Sequence, residues 1–182
     1  MQSYDYAHRD GVETITWERF VQLCQGLAEA LAQQQIDTIV GVARAGLLPA
    51  TVIACALRCD LVPVRITRRA QDQVVHPHPV WQVDVAAAVA GRRVAVVDEI
   101  ADTGETLRLV AERVHERGAQ QVLTAVLVSH SWADPRPDLC ALVSDALVIF
   151  PWDQQVLVAG RWQLHPELVR ALAQQGGGTA TD

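Results

Sequence analysis

Val94-Ala95-Val96-Val97-Asp98-Glu99-Ile100-Ala101-Asp102-Thr103-Gly104-Glu105-Thr106 decides how this chain folds. A continuous apolar run ends in two adjacent acids, a short spacer follows, and Asp-Thr-Gly-Glu-Thr then opens a helical pattern. Residues 93–97 read as a strand covered on both faces, because the run after Arg93 shows no polar alternation. Leu107, Val110, Ala111 and Val114 recur at helical spacing from about 105 to 117, and Gly118 is a natural stop. A buried strand running straight into a helix is the unit of a mostly parallel sheet with helices on both faces. Ligands of such sheets bind beyond the carboxyl ends of the strands, which makes 98–106 a candidate site.

The same alternation extends outward. Thr16 can cap a helix starting at Trp17, with Phe20, Leu23, Cys24, Leu27 and Leu31 on one face. Residues 38–42 read as a buried strand, the turn 43–46 leads into an apolar helix over 48–57, and 61–66 is the next strand. Pro63 suggests that this strand is an edge or carries a bulge. Residues 68–83 show no period and read as a long mobile loop of the kind that serves as a lid. Further strands are expected over 121–128 and within 143–150, a last strand or hairpin arm over 156–162, and a helix opening at His165-Pro166-Glu167. One domain over 1–175 and a disordered tail over 176–182 complete the expectation.

Composition narrows the function. The 182 residues carry a net charge of −6, and all 15 basic residues are arginine, so no mechanism here uses a lysine. An acidic chain without a basic run is a poor nucleic-acid binder, whereas arginine suits the holding of phosphates. Cys24, Cys55, Cys59 and Cys140 form no Cys-x-x-Cys pair; reduced, buried thiols are expected. No apolar stretch approaches the ~20 residues that span a bilayer, and no signal peptide is legible, so a soluble, cytoplasmic protein without membrane partners is expected.

The 98–106 stretch carries chemistry as well as fold. Thr103, Gly104, Glu105 and Thr106 put backbone N–H groups and hydroxyls at a helix N-terminus, which favours an anion. Asp98 and Glu99 at the other end suit a vicinal diol or a hydrated magnesium ion. A phosphate at one end and a diol at the other describe a ribose 5-phosphate. An ordinary helix cap would account for Thr103 or Asp102 alone, not for three acids and two threonines together. A second nest of backbone N–H groups is expected at Arg44-Ala45-Gly46, where a strand ends in a tight turn before a helix.

These two motifs resemble those of type I phosphoribosyltransferases. Residues 98–106 look like the family's phosphoribosyl-pyrophosphate signature, with Glu99 where Asp is usual. Residues 41–50 resemble its pyrophosphate loop, with Ala45 where Gly is usual; family members often have a cis peptide there. Residues 142–153, ending in Pro151-Trp152-Asp153, look like the xanthine-guanine branch, and the resemblance covers roughly 17–153. It implies the type I fold and transfer of 5-phosphoribosyl from phosphoribosyl pyrophosphate to a base, with Mg2+ as cofactor and a homodimer or tetramer. It further implies Asp102 as the catalytic acid near the base, ribose and phosphate binding by Asp98, Glu99 and 102–106, and pyrophosphate binding by 44–46. Asp98 and Glu99 are the implied magnesium-side carboxylates. The base-reading positions correspond to His130 in place of a lysine and to Leu147, beside Val148, in place of an aromatic residue. The phosphoribosyl half matches the family and the base half departs from it. Two rivals follow from that split: a non-catalytic nucleotide sensor, and a transferase to a non-purine acceptor. His76 and His78 read as solvated, and Trp152 as a packing residue.

Overall fold

A computed structural model describes residues 9, 11–70 and 73–176. They group into two compact units, one of 21–143 and one built from the chain on either side of it.

In the larger unit, six strands form one sheet. In chain order they are β2 (Thr38–Val42), β3 (Asp60–Thr67), β6 (Val80–Val83), β7 (Arg93–Ala101), β8 (Gln121–Ser129) and β9 (Leu139–Val143). Their spatial order is β6-β3-β2-β7-β8-β9, and every pairing is parallel except that of β3 with β6. Helix α2 (Leu47–Leu57) links β2 to β3, and α3 (Glu105–Glu116) links β7 to β8. Strand period decides which helix covers which face. Val40, Val42, Val94 and Val96 share a core cluster with Leu107, Val110 and Val114 of α3. The opposite face carries Gly41, where a side chain would strike Ala50 and Leu47 of α2. The expected doubly covered, mostly parallel sheet is therefore observed. Val94, Ala95, Val96 and Val97 are all fully buried, and burial of each valine contributes roughly 1.5–3 kcal/mol relative to exposure.

Two expectations in this unit need correction, and that for Pro63 holds as a bulge and not as an edge. Strand β7 continues to Ala101, so Asp98 and Glu99 lie within the last part of a strand rather than in a loop. Pro63 lies on a strand with neighbours on both sides, since β6 pairs with Arg65, Ile66 and Thr67; at Pro63 only β2 is paired, so the missing N–H breaks no ladder. A register shift at Arg65/Ile66 supplies the bulge. Residues 68–83 are not a structureless loop: β4 (Arg69–Ala70) pairs antiparallel with β5 (Gln73–Val74), and β6 joins the main sheet. Residues 71–72, within that expected lid, lie outside the described residues.

The other unit holds β1 (Val12–Thr14), paired in parallel with β10 (Leu147–Ile149). It also holds a hairpin of β11 (Gln155–Val158) and β12 (Arg161–Leu164), and α4 (Pro166–Gly176). The strand expected within 143–150 is β10, β9 is an additional strand ahead of it, and Gly176 belongs to a helix; the rest of the expected tail lies outside the described residues. Helix α1 (Trp17–Gln33) starts where Thr16 predicts, with the Arg19 N–H donating to Thr16 Oγ1 at 3.2 Å. Trp152 is a packing residue, stacked on Phe150 at 4.8 Å and meeting Phe20 edge-on at 5.4 Å.

Candidate functional site

The chain leaves β2 through α2 toward β3 and leaves β7 through α3 toward β8, so the strand order reverses between β2 and β7. Such a reversal opens a crevice at the carboxyl ends of the two strands. Register shows where it begins. β2 pairs with β7 only as far as Val97, and Asp98 is the first β7 residue beyond that ladder.

Asp98 lies at this opening and is nonetheless 8% exposed. Its Oδ1 accepts the Glu99 N–H at 2.9 Å. Burial, reinforced by the neighbouring Glu99 carboxylate, pushes the Asp98 carboxyl well above the usual carboxylate range. The turn after β2 closes over it: a methyl group at Gly46 would collide with Asp98 Oδ1 and stand 2.6 Å from the Val42 carbonyl oxygen. Arg44 is exposed in the same turn, Ala45 is half-buried, and the peptide bond joining Ala43 to Arg44 is cis.

Past the end of β7, Asp102 and Thr103 are half-buried, and Gly104 caps α3 in the left-handed region, at φ 81°. The N-cap Gly104 makes no side-chain cap bond, and the Glu105 N–H donates to Thr103 Oγ1 at a long 3.4 Å. A cap by Asp102 or Thr103 therefore does not account for the motif, and first-turn N–H groups with Thr106 beside them remain available to an anion. Gly104 is also required sterically, because a side chain there would come 2.5 Å from the Pro135 carbonyl oxygen. The neighbour is the 130–135 turn, in which the Asp134–Pro135 peptide is cis. His78, read from sequence as solvated, bonds Glu105 Oε1 through Nδ1 at 3.1 Å, which ties the 76–79 stretch to the start of α3.

His130 follows β8 and is 3% exposed, with its backbone N–H donating to the Ala101 carbonyl at 3.1 Å. Its imidazole stacks on Trp132, 4.5 Å between centroids and 15° between planes. Trp132 Nε1–H in turn donates to Asp102 Oδ1 at 3.3 Å. The structure thus gathers Arg44, Ala45, Gly46, Asp98, Glu99, Asp102 to Thr106 and His130 at one end of one sheet. Leu147 and Val148 belong to the other unit, where Leu147 is buried in a cluster with Ile149 and Ala171. Sequence reading missed Trp132. Its signal was a single large aromatic in the polar stretch 131–136, just past a strand end.

Comparison with known proteins agrees with this geometry. Residues 12–159 match the phosphoribosyl transferase domain family. A xanthine-guanine phosphoribosyltransferase of Gluconobacter oxydans is 28% identical over 163 residues, 87% of this chain and 90% of that protein. A transcriptional regulator, GfcR 1 of Methanosarcina barkeri, is 34% identical over 115 residues, 62% of this chain and 55% of its own length. Among solved structures, a purine phosphoribosyltransferase of Pyrococcus horikoshii superposes with a TM-score of 0.71 at 28% identity, covering 81% of this chain and 97% of that one. The sheet order, the two loops at its reversal point and the matched residues lead to one conclusion: the chain belongs to the phosphoribosyltransferase family of pentosyltransferase enzymes and has the type I fold.

Proposed function

We propose that this enzyme transfers the 5-phosphoribosyl group from phosphoribosyl pyrophosphate to a nitrogenous base, purine-like or otherwise, and releases pyrophosphate. The observation that carries this reading is the convergence of Asp98 and Gly46, which sets a phosphoribosyl-type loop and an anion-binding turn on the same crevice. First-turn N–H groups of α3, with Thr103 and Thr106, hold the 5-phosphate. Asp98 and Glu99 face the ribose diol, and Arg44 with the 44–46 backbone holds pyrophosphate. Displacement at the anomeric carbon forms the C–N bond and breaks the C–O bond to pyrophosphate. The proton released by the acceptor nitrogen goes to Asp102. Positioning and stabilisation of the departing charge supply the rate.

Magnesium fits the donor set. Adjacent carboxylates, the ionisation of one disfavoured by burial, gain from a nearby hydrated cation, and magnesium typically takes one or two carboxylates plus substrate phosphates. Bound there it would offset the charge of departing pyrophosphate. Among the described residues no helix is long and apolar enough to cross a membrane; we place the enzyme in the cytoplasm as a homo-oligomer.

The resemblance to the xanthine-guanine branch puts His130 where that branch has a lysine, so weak discrimination among 6-oxopurines is expected. The likeness to GfcR regulators favours a second reading, in which the site senses a nucleotide. Pyrophosphate release measured across a panel of purine, pyrimidine and non-purine bases separates the two. Turnover of any base supports transfer. Calorimetric binding of a nucleotide without turnover of any base supports the sensor. Absence of both turnover and binding overturns the proposed site.

A further inference from the structure

The 130–135 turn is stitched to the end of β7 along its length. His130 N–H donates to the Ala101 carbonyl at 3.1 Å, Trp132 Nε1–H to Asp102 Oδ1 at 3.3 Å, and Asp134 N–H to the Thr103 carbonyl at 3.1 Å. The turn closes on itself through the Ala133 N–H and the His130 carbonyl, at 3.2 Å. His130 and Asp102, which the Trp132 side chain meets, are therefore fixed in place. One ring face lies on an imidazole that is 3% exposed, while Trp132 itself remains 48% exposed. An indole N–H is a donor only, and its preferred acceptor is the charged carboxylate. The bond orients Asp102 Oδ1 and sets an accessible aromatic surface beside that carboxylate.

We infer that Trp132 determines acceptor specificity: its N–H positions the Asp102 carboxylate, and its ring is the wall against which a planar heteroaromatic acceptor lies. The inference rests on the transfer reading above and names the side chain that selects its second substrate. Stacking of a base on an aromatic side chain is sequence-tolerant, because every base has a π-face. An acceptor site of this kind favours flat bases of several types over one hydrogen-bonding pattern.

Two variants divide the roles. Trp132→Phe keeps a ring and removes the donor, so kcat should fall roughly tenfold with the acceptor KM little changed. Trp132→Leu removes both, so the acceptor KM should rise roughly tenfold or more as well. The KM for phosphoribosyl pyrophosphate should stay constant in both, which a merely structural role would not allow. Unchanged acceptor KM in Trp132→Leu, or a faster enzyme, would overturn the inference by showing that the indole is inert or obstructs the site.

A measurement that needs no turnover separates this inference from the transfer reading. In 15N-labelled protein the Trp132 indole resonance should move on Asp102→Asn. It should also move on adding nucleoside 5′-monophosphates, but not ribose 5-phosphate. Those shifts in a protein that turns over no base would uphold the wall and reject transfer; an indole signal indifferent to the nucleotides would reject the wall.

Discussion

Gly46 packs its backbone against the carboxylate of Asp98, although 52 residues separate them in the chain. The turn after β2 and the acids in the last part of β7 thus form one surface. Gly46 sits at φ −62°, a conformation open to any residue, so its need for glycine is purely spatial. Gly46→Ala should place a methyl group against Asp98 and the Val42 carbonyl, lower stability by about 1–3 kcal/mol, and abolish pyrophosphate release. Urea unfolding and the release assay check both. A fully active, equally stable variant would show that the turn yields freely.

The raised Asp98 carboxyl has a consequence for stability. Its proton binds the folded protein more tightly than the unfolded chain, whose carboxyl titrates near 3.8. The folded state therefore holds the extra proton above that pH, and this contribution to stability is lost as pH rises through the folded value. Asp98→Asn should remove that decline. In magnesium-free buffer the stability difference, variant minus wild type, should grow from pH ~4 upward. A constant difference across that range would mean that Asp98 is ionised in the folded protein.

Both acids are expected to act in transfer, and the fold should form without their charge. Asp98→Asn with Glu99→Gln should abolish turnover while the far-UV circular dichroism stays that of the wild type, since amides keep the shape but cannot supply the charge that a diol or a magnesium ion calls for. Normal turnover by the double variant would remove the pair from the site.

Thr106 is half-buried in the first turn of α3. Thr106→Val keeps the shape and deletes the hydroxyl. Losing one hydrogen bond to a charged phosphate corresponds to about 1.5–3 kcal/mol, so calorimetric affinity for ribose 5-phosphate ligands should drop roughly ten- to hundredfold. Unaltered affinity would place the phosphate elsewhere.

The thiols should differ sharply in reactivity. Burial pushes Cys24 up to about 12, whereas Cys55 is exposed. Since the thiolate is the nucleophile, brief alkylation at neutral pH should label Cys55 and spare Cys24 in a peptide map. Equal labelling would show that α1 opens readily.

Much of this was legible in the chain because period and punctuation agree. Residues 93–97 lack polar alternation, Leu107 to Val114 follow the helical period, and Gly118 ends the helix; each local signal points to the same β7–α3 unit. The 98–106 and 43–46 loops were found for the same reason, as strands ending in residues that no core would select. What escaped depends on contacts between distant segments. Nothing local marks 73–74 and 80–83 as strands, because β6 is half-exposed or exposed along its length and short, and gains its ladder only from β3. Trp132 gives no periodic signal; its role is visible only once β8 is set beside β7 and brings His130 and Asp102 together.

Strand β7 is bonded to β2 as far as Val97 and to β8 through Ala101, whereas, among the described residues, β4 and β5 pair with each other in a two-stranded ribbon. Amide protons of β7 should exchange with solvent only when the whole domain opens, and those of the ribbon should exchange through small local fluctuations. Asp98 and Glu99 thus follow directly on the last segment to open, while the ribbon can open and reclose many times without disturbing their spacing.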